Sequence, residues 1–285
     1  MKTVVVTDSS GRPWPATASP AVVVVPITIL LAARQVADDE IDPVQVDEAM
    51  SRGDPVKTRA PSVMDYLDAV ESTDAQAAVI LTPAAELTAM WRHASHTPWL
   101  ADRPVAVVDT RTAACGQALV VDAAADAAAA GNSLPDVVAA ARDAAGRARV
   151  LGAVGTAEPL MAAGMVARAR VAGEAGEAGE AGDDPGDDAR GGRPTIFEAR
   201  QGSIEPLRVL DGEDPVTALA ELYAGERRAG SPIAFTGAGA GQEVQAMAER
   251  LARLTDADHH PEVCSPAMTI YTGRGVIGIA WLDRD

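Results

Sequence analysis

Hydroxyl groups recur in this chain where strands end. Val4-Val5-Val6-Thr7-Asp8-Ser9-Ser10 carries an apolar run straight into three hydroxyls and a carboxylate. Thr58 follows beside Arg59, then Thr82 and Thr88, then Thr110 and Thr112. One such group means little, since Asp and Ser also stop strands and cap helices. Four successive strand or loop ends that bring hydroxyls to one face of a parallel sheet would make a polar mouth. Hydroxyls and backbone N–H groups can hold a carboxylate there without protonating it. An aliphatic cleft behind that mouth would take an apolar tail, gaining about 0.8 kcal/mol for each buried CH₂.

Other chemistry is weakly signalled. The run Thr236-Gly237-Ala238-Gly239-Ala240-Gly241 lies between a strand and a helix and invites a phosphate reading. Gln242 stands where the third Gly of G-x-G-x-x-G belongs, and no Lys-Ser/Thr pair follows, so a turn into the helix explains the run as well. His93 and His96 fall three apart on an expected helix, and His259-His260 are adjacent in an expected loop. Neither pair brings the further ligands that a metal needs, so surface histidines are the reading. There is no G-x-S-x-G elbow, and no nucleophile with an evident base.

The elements that must position these groups alternate between strand and helix. Val4–Val6 and Val22–Ile29 read as strands, Pro26 marking an edge or a bend in the second. Asp42 caps a helix to Arg52 with Pro43 at its first position, and Ser62 starts another that runs to Val70. Ala77–Leu81 is a strand, Glu86–Ser95 a helix, Val105–Asp109 a strand, and Ala113–Ala130 and Leu134–Arg147 are helices. This alternation predicts a parallel sheet with helices on its faces. Beyond it come a strand at Val150–Val154, a helix at Glu158–Val166, and a hairpin formed by Ile196–Gln201 and Ile204–Val209. Helices are expected at Pro215–Ala229 and Gln242–Leu254, with strands at Ile233–Thr236, Ala267–Tyr271 and Val276–Trp281.

Composition narrows the partners. At 285 residues the chain has length for two domains and a sizeable core. With 3% aromatic residues, any cavity must be walled mainly by Val, Leu, Ile, Ala and Met. The net charge of −17 would repel both nucleic acid and an anionic membrane surface. Part of it is local, because the Gly/Glu/Ala tract from Gly173 to Gly192 carries seven carboxylates against Arg190. Residues 172–192 have too few large apolar groups to offset ordering entropy, and a disordered loop is expected there. Cys115 and Cys264 are too few for a disulfide framework. The apolar runs are too short to span a bilayer and no signal-peptide pattern is present, so a soluble, cytoplasmic protein is expected.

Taken in order, several segments resemble the DegV family of bacterial fatty-acid-binding proteins. Val4–Ser10 is similar to its opening strand and T-D-S signature, and Val24-Val25-Pro26-Ile27-Thr28 to its second strand. Lys57-Thr58-Arg59-Ala60-Pro61-Ser62 resembles its T-S-Q-P-S segment, and Leu87-Thr88-Ala89-Met90-Trp91 its L-S-G-T-Y segment. Val108-Asp109-Thr110 with Gly116 is similar to V-D-S…G. Arg193-Pro194 with Gly202-Ser203-Ile204-Glu205-Pro206-Leu207 resembles the K-P…G-x-I-x-P-L hairpin. Tyr271-Thr272-Gly273-Arg274-Gly275-Val276-Ile277-Gly278 is similar to H-x-G-P-G-x-x-G.

The resemblance implies an α/β fold of two lobes. Residues 1–149 would form a parallel sheet with flanking helices, and residues 150–285 an α/β domain with a mixed or antiparallel sheet. One long-chain fatty acid would lie between the lobes, with no cofactor and no catalysis by this chain. Its carboxylate would sit near Thr58 and Thr88, with Ser9 and Ser10 contributing and Tyr271 and the Gly273 loop closing over it. A separate fatty acid kinase subunit (DAK/DhaL-like) would phosphorylate the presented acid. The pattern departs from the family at Tyr271, where His is usual, and at Arg274, where Pro is usual. Ala163-Gly164-Met165 stands for G-G-R, and Arg59-Ala60 for Ser-Gln. Arg59 either pairs with the carboxylate or is solvated. The alternatives are a divergent relative that binds another apolar carboxylate or lipid without a kinase, an enzyme using Gly237–Gly241 for a phosphate, or a structural protein.

Overall fold

The computed structural model describes residues 2–12, 22–32, 34–166, 193–226 and 232–284. The acidic tract at 172–192 lies outside the described residues. The chain opens with strands β1 (Thr3–Asp8), β2 (Val22–Val25), β3 (Thr28–Leu31) and β4 (Arg34–Ala37). Helix α1 (Pro43–Ser51), strand β5 (Val56–Arg59) and helix α2 (Val63–Glu71) follow. Then come β6 (Ala77–Thr82), α3 (Met90–Ala94), β7 (Val105–Asp109), α4 (Cys115–Ala129) and α5 (Leu134–Arg147). The rest holds β8 (Ala148–Val154), α6 (Glu158–Ala162), β9 (Thr195–Arg200), β10 (Ser203–Val209) and α7 (Pro215–Ala224). It closes with β11 (Ile233–Gly237), α8 (Gln242–Thr255), β12 (Asp258–Cys264), α9 (Pro266–Thr272) and β13 (Ile277–Leu282).

The first sheet is parallel, in the order β2-β1-β6-β7. Every residue of its central strands β1 and β6 is buried, which suits their β-branched and aliphatic content. Side chains alternate across the sheet. Val5, Val79 and Leu81 meet Val120, Val121, Val137 and Ala141 of α4 and α5. Val4, Val6 and Ile80 meet Tyr66 and Val70 of α2 and Ala94 of α3 on the other face. Ser62 caps α2 through a reciprocal capping box with Asp65.

A second sheet has the order β10-β9-β8-β13-β11-β12 and is antiparallel except for the β11–β12 pair. Leu151, Ile196, Ile277, Ile279 and Trp281 cover one face against Val216 and Leu219 of α7 and Ala248 and Leu251 of α8. Val150, Val154, Phe197, Phe235 and Val276 gather on the other face. The β9–β10 turn is built on Gln201 and Gly202, both left-handed at φ 52° and 85°. Two such residues match the twist of a hairpin. A Cβ on Gly202 would stand 2.6 Å from Glu86 Oε2, so the turn also presses against the loop after β6.

Several expectations are corrected. Val22–Ile29 is not one strand, because Pro26 and Ile27 break it: β2 edges the parallel sheet, while β3 opens a separate antiparallel sheet in the order β4-β3-β5. Pro26 lacks the N–H that a continuing ladder needs. Strands β4 and β5 carry polar side chains and showed no apolar alternation. The helix expected at Glu86–Ser95 is confined to Met90–Ala94, which leaves Leu87 and Thr88 in a loop. The helix expected at Glu158–Val166 ends at Ala162, and that expected at Pro215–Ala229 ends at Ala224. Ala267–Tyr271 belongs to a helix, not a strand. Pro266 opens α9, and Ala267, Ile270 and Tyr271 fall on one helical face against Ile27, Ile29 and Val46. His259 and His260 lie on strand β12, at the sheet edge, rather than in a loop.

Candidate functional site

A cavity of about 320 Å³ opens where the carboxyl end of the parallel sheet meets the apolar face of the second sheet. Its depth is walled by Val150, Val154, Phe197, Phe235 and Val276, with Ile204 from the hairpin. Strand alternation explains the wall, since Val150, Gly152 and Val154 of β8 point to the cavity while Leu151 and Ala153 face the other core. Loops after β6 and β7 bring Pro83, Leu87, Thr88, Ala113 and Ala114 to the rim. The β7 loop is shaped by the Asp109 carboxylate, which accepts from Arg111 N–H at 2.8 Å and Ala85 N–H at 3.3 Å. Arg111 and Ala114 are both left-handed there, at φ 54° and 50°.

Polar groups line one part of this cavity. Ser10, Thr58, Thr88, Tyr271 and Thr272 all border it. The Thr58 hydroxyl and the Tyr271 phenol are hydrogen bonded to each other. Thr88 Oγ1 accepts from Met90 N–H at 3.2 Å, which leaves its own hydrogen free to donate. Thr272 Oγ1 donates to Met268 O at 3.0 Å and Gly273 O at 3.2 Å.

Of the seven residues singled out in the sequence, Ser10, Thr58, Thr88 and Tyr271 thus border one space. The other three do not. Thr58 and Arg59 are neighbours on β5 and so point to opposite faces. The Arg59 guanidinium is exposed and donates to Gln35 Oε1 at 2.9 Å and Thr28 Oγ1 at 3.4 Å. Ser9 is buried beneath the site; its Oγ donates to Asp38 Oδ2 at 2.7 Å and accepts from Ile27 N–H at 3.0 Å. Gly273 caps α9 at φ 70° and contributes a carbonyl to Thr272.

Two buried carboxyls that the sequence reading left without a role lie behind these hydroxyls. Asp8 accepts from Ser10 N–H at 3.0 Å and from Gln117 Nε2 at 3.0 Å. Burial pushes its pKa up, and the Ser10 and Gln117 hydrogen bonds offset only part of that rise. Burial likewise raises Asp38, against the pull of the Ser9 and Ser265 hydroxyls and the Arg12 charge. A signal for Gln117 was available: it is the one amide in the first turn of a helix otherwise made of Ala, Val, Leu, Gly, Cys and Asp. Asp38 offered none, because its partners come from residues 29 positions upstream and far downstream.

The glycine run holds protein, not an open cradle. A Cβ on Gly239 would stand 2.7 Å from Pro43 Cγ of α1, and Arg274 Nε donates to Gly239 O at 2.8 Å. His93 Nδ1 bonds Pro61 O at 2.7 Å and His96 Nδ1 bonds Arg92 O at 2.8 Å. Among the described residues no cluster of three His, Cys, Asp or Glu side chains could hold a metal ion. None of their helices is long and apolar enough to cross a membrane.

A family model described as an uncharacterised protein of the DegV family matches residues 2–175. The chain belongs to the DegV family. A DegV domain-containing protein of Streptomyces coelicolor is 26% identical, with 98% of each chain covered. Solved DegV structures share the fold. A Thermus thermophilus DegV family protein, reported for its fatty acid binding, superposes with a TM-score of 0.78 at 22% identity, over 99% of this chain and 100% of that one. The B3 protein of the Streptococcus pneumoniae fatty acid kinase, loaded with linoleic acid, gives a TM-score of 0.80 at 20% identity, with the same coverage. Bacillus subtilis DegV, described as a fatty acid binding protein, gives 0.77 at 15% over the full length of both chains.

Proposed function

We propose that this DegV family member binds a long-chain fatty acid between a lobe of residues 1–149 and one of residues 150–285. The single observation that carries the reading is the cavity itself, apolar along its depth and bordered by Ser10, Thr58, Thr88 and Tyr271. The acyl chain would lie against Val150, Phe197, Phe235 and Val276, where each buried CH₂ contributes about 0.8 kcal/mol. The carboxyl group would meet the hydroxyls, with Thr88 donating and the Thr58–Tyr271 pair opening to donate one hydrogen. Ser9, Arg59 and Gly273 would support the site from outside it. The chain then acts as a cytoplasmic binding protein that presents the acid to a separate kinase subunit, and performs no catalysis.

The DegV relatives whose structures hold or are described as binding fatty acids support this reading, as does the fatty acid kinase B3 protein for the kinase partnership. Native mass spectrometry of the purified chain is the test. A co-purified mass equal to a long-chain fatty acid is expected. A ligand-free protein that also fails to take up added fatty acid would overturn the proposal.

A further inference from the structure

Beneath the cavity lies a carboxyl group that binding as just described does not use. Asp8, at the end of β1, is fully buried. Its Oδ1 accepts from Ser10 N–H at 3.0 Å and is hydrogen bonded to Ser10 Oγ. Its Oδ2 accepts from Gln117 Nε2 at 3.0 Å, and the same amide nitrogen donates to Thr7 Oγ1 at 3.0 Å. Ser10 Oγ has one further acceptor, Gln117 Oε1, at 3.2 Å. Burial, and after it the nearby Asp8 charge, holds the pKa of the Tyr66 phenol of α2 well above its usual value. Among the described residues no guanidinium or ammonium group bonds the Asp8 carboxyl.

The hydrogens in this network can be counted. Each Asp8 oxygen takes one N–H, but only Oδ1 has a neighbour that can accept a proton, the Ser10 hydroxyl. The Gln117 amide nitrogen beside Oδ2 can only donate, so a proton on Asp8 belongs on Oδ1. Ser10 has a single hydroxyl hydrogen. When Asp8 is ionised, that hydrogen is drawn to Oδ1, and Ser10 offers the cavity only lone pairs. A carboxylate arriving there would meet lone pairs backed by a second negative charge. When Asp8 is protonated, Oδ1–H donates to Ser10 Oγ. The Ser10 hydrogen can then leave Gln117 Oε1 and donate to the ligand.

We propose that Asp8 makes ligand binding proton-linked: the cavity takes a carboxylate together with one proton held on Asp8 Oδ1, and takes a neutral hydroxyl head group without one. A hydroxyl ligand needs no proton because it can donate to the lone pairs of Ser10. Burial of Asp8, which favours its neutral form, acts in the same direction. This inference rests on the fatty-acid reading above and deepens it by naming the protonation state that binds.

The test is calorimetric titration of the delipidated full chain with hexadecanoic acid and with 1-hexadecanol, from about pH 6 to about pH 9 in two buffers of different ionisation enthalpy. Hexadecanoic acid is expected to take up about one proton, its Kd rising toward tenfold per pH unit above the Asp8 pKa. The Kd of 1-hexadecanol is expected to stay flat. Asp8→Asn, which cannot ionise, is expected to flatten the acid profile. An acid Kd independent of pH with no proton uptake overturns the inference while leaving the fatty-acid reading intact. A pH dependence that survives Asp8→Asn places the proton on the ligand and also overturns it. Should Asp8→Asn not fold, the infrared carbonyl band of bound carboxyl-labelled hexadecanoic acid on the unaltered chain decides: an ionised ligand carboxylate is expected, and a protonated ligand carboxyl overturns the inference. If neither ligand binds, the fatty-acid reading falls and the inference with it.

Discussion

Thr58 and Tyr271 are hydrogen bonded across the cavity although 213 positions separate them in the chain. Thr58 comes from β5 of the small antiparallel sheet, and Tyr271 from the last turn of α9. The two elements meet through a shared apolar cluster, in which Ile27, Ile29 and Val46 pack on Ala267 and Ile270. That packing, and not the single hydrogen bond, holds the hydroxyls at contact distance.

Tyr271→Phe should therefore leave the fold intact and weaken hexadecanoic acid binding by about fivefold, the equivalent of one neutral hydrogen bond of about 1 kcal/mol. Thr58→Val should do the same, and the double variant should lose less than the two effects combined, since the groups share one bond. Calorimetric Kd values for the three variants check this. Unchanged affinity in Tyr271→Phe would restrict the pair to a structural role.

Gly152 offers a way to fill the cavity from within. It lines the space, and a Cβ there would meet nothing closer than Ile277 O and Val276 Cγ2, both at 4.0 Å. Gly152→Leu should keep the thermal midpoint within a few degrees, roughly the scale of 1 kcal/mol. It should reduce hexadecanoic acid binding at least tenfold, about 1.4 kcal/mol, while shorter acids lose less. Equal loss for acids of every length would mean that the acyl chain does not run past β8.

Gly278 makes the opposite point about space. A Cβ added there would lie 2.5 Å from Leu151 O and 2.3 Å from Phe235 Cζ. The Leu151 carbonyl belongs to the neighbouring strand and cannot move without breaking the β8–β13 register. Gly278→Ala should cost about 1–3 kcal/mol, read as a lower urea midpoint with little change in slope.

Asp38 makes stability depend on pH with a definite sign. Its folded pKa is raised above the usual 3.8 by burial. The native state thus binds more protons than the unfolded chain between those two values. The stability this group contributes is fully present below 3.8 and is lost as pH rises through the raised folded value. Asp38→Asn removes that dependence, so its urea midpoint should gain on the unaltered chain as pH rises through the window and run parallel above it. A midpoint difference that shrinks over the same window would contradict the assignment.

Much of the parallel half was legible because its signals are local. The buried valines of β1, the aliphatic run of β6 and the cap residues Asp42 and Ser62 each carry their structure within a few residues, as does the Gln201-Gly202 turn of the second sheet. Elements whose stability comes from distant packing were misread or missed. Strands β4 and β5 lack apolar alternation and exist because they flank β3. Ala267–Tyr271 is rich in residues that suit strands, yet its Ala267–Ile270–Tyr271 face lies on the small sheet and favours a helix.

The site divides along the same line. The sequence by itself pointed to hydroxyls at strand ends, Ser10, Thr58 and Thr88 among them, because residue type and position after an apolar run are local facts, while Tyr271 entered through the resemblance to the DegV family. Only the tertiary structure decided which of them share a cavity. Strand alternation turned Arg59 away from Thr58, and a break at Pro26 made the sheet that brings Thr58 to Tyr271. It also set Gln117 and Ser10 around Asp8, 109 and 2 positions away, in a buried network that no spacing announces. Hydrogen bonding among buried groups depends on positions in space to within tenths of an ångström, and those follow from the packing of whole elements.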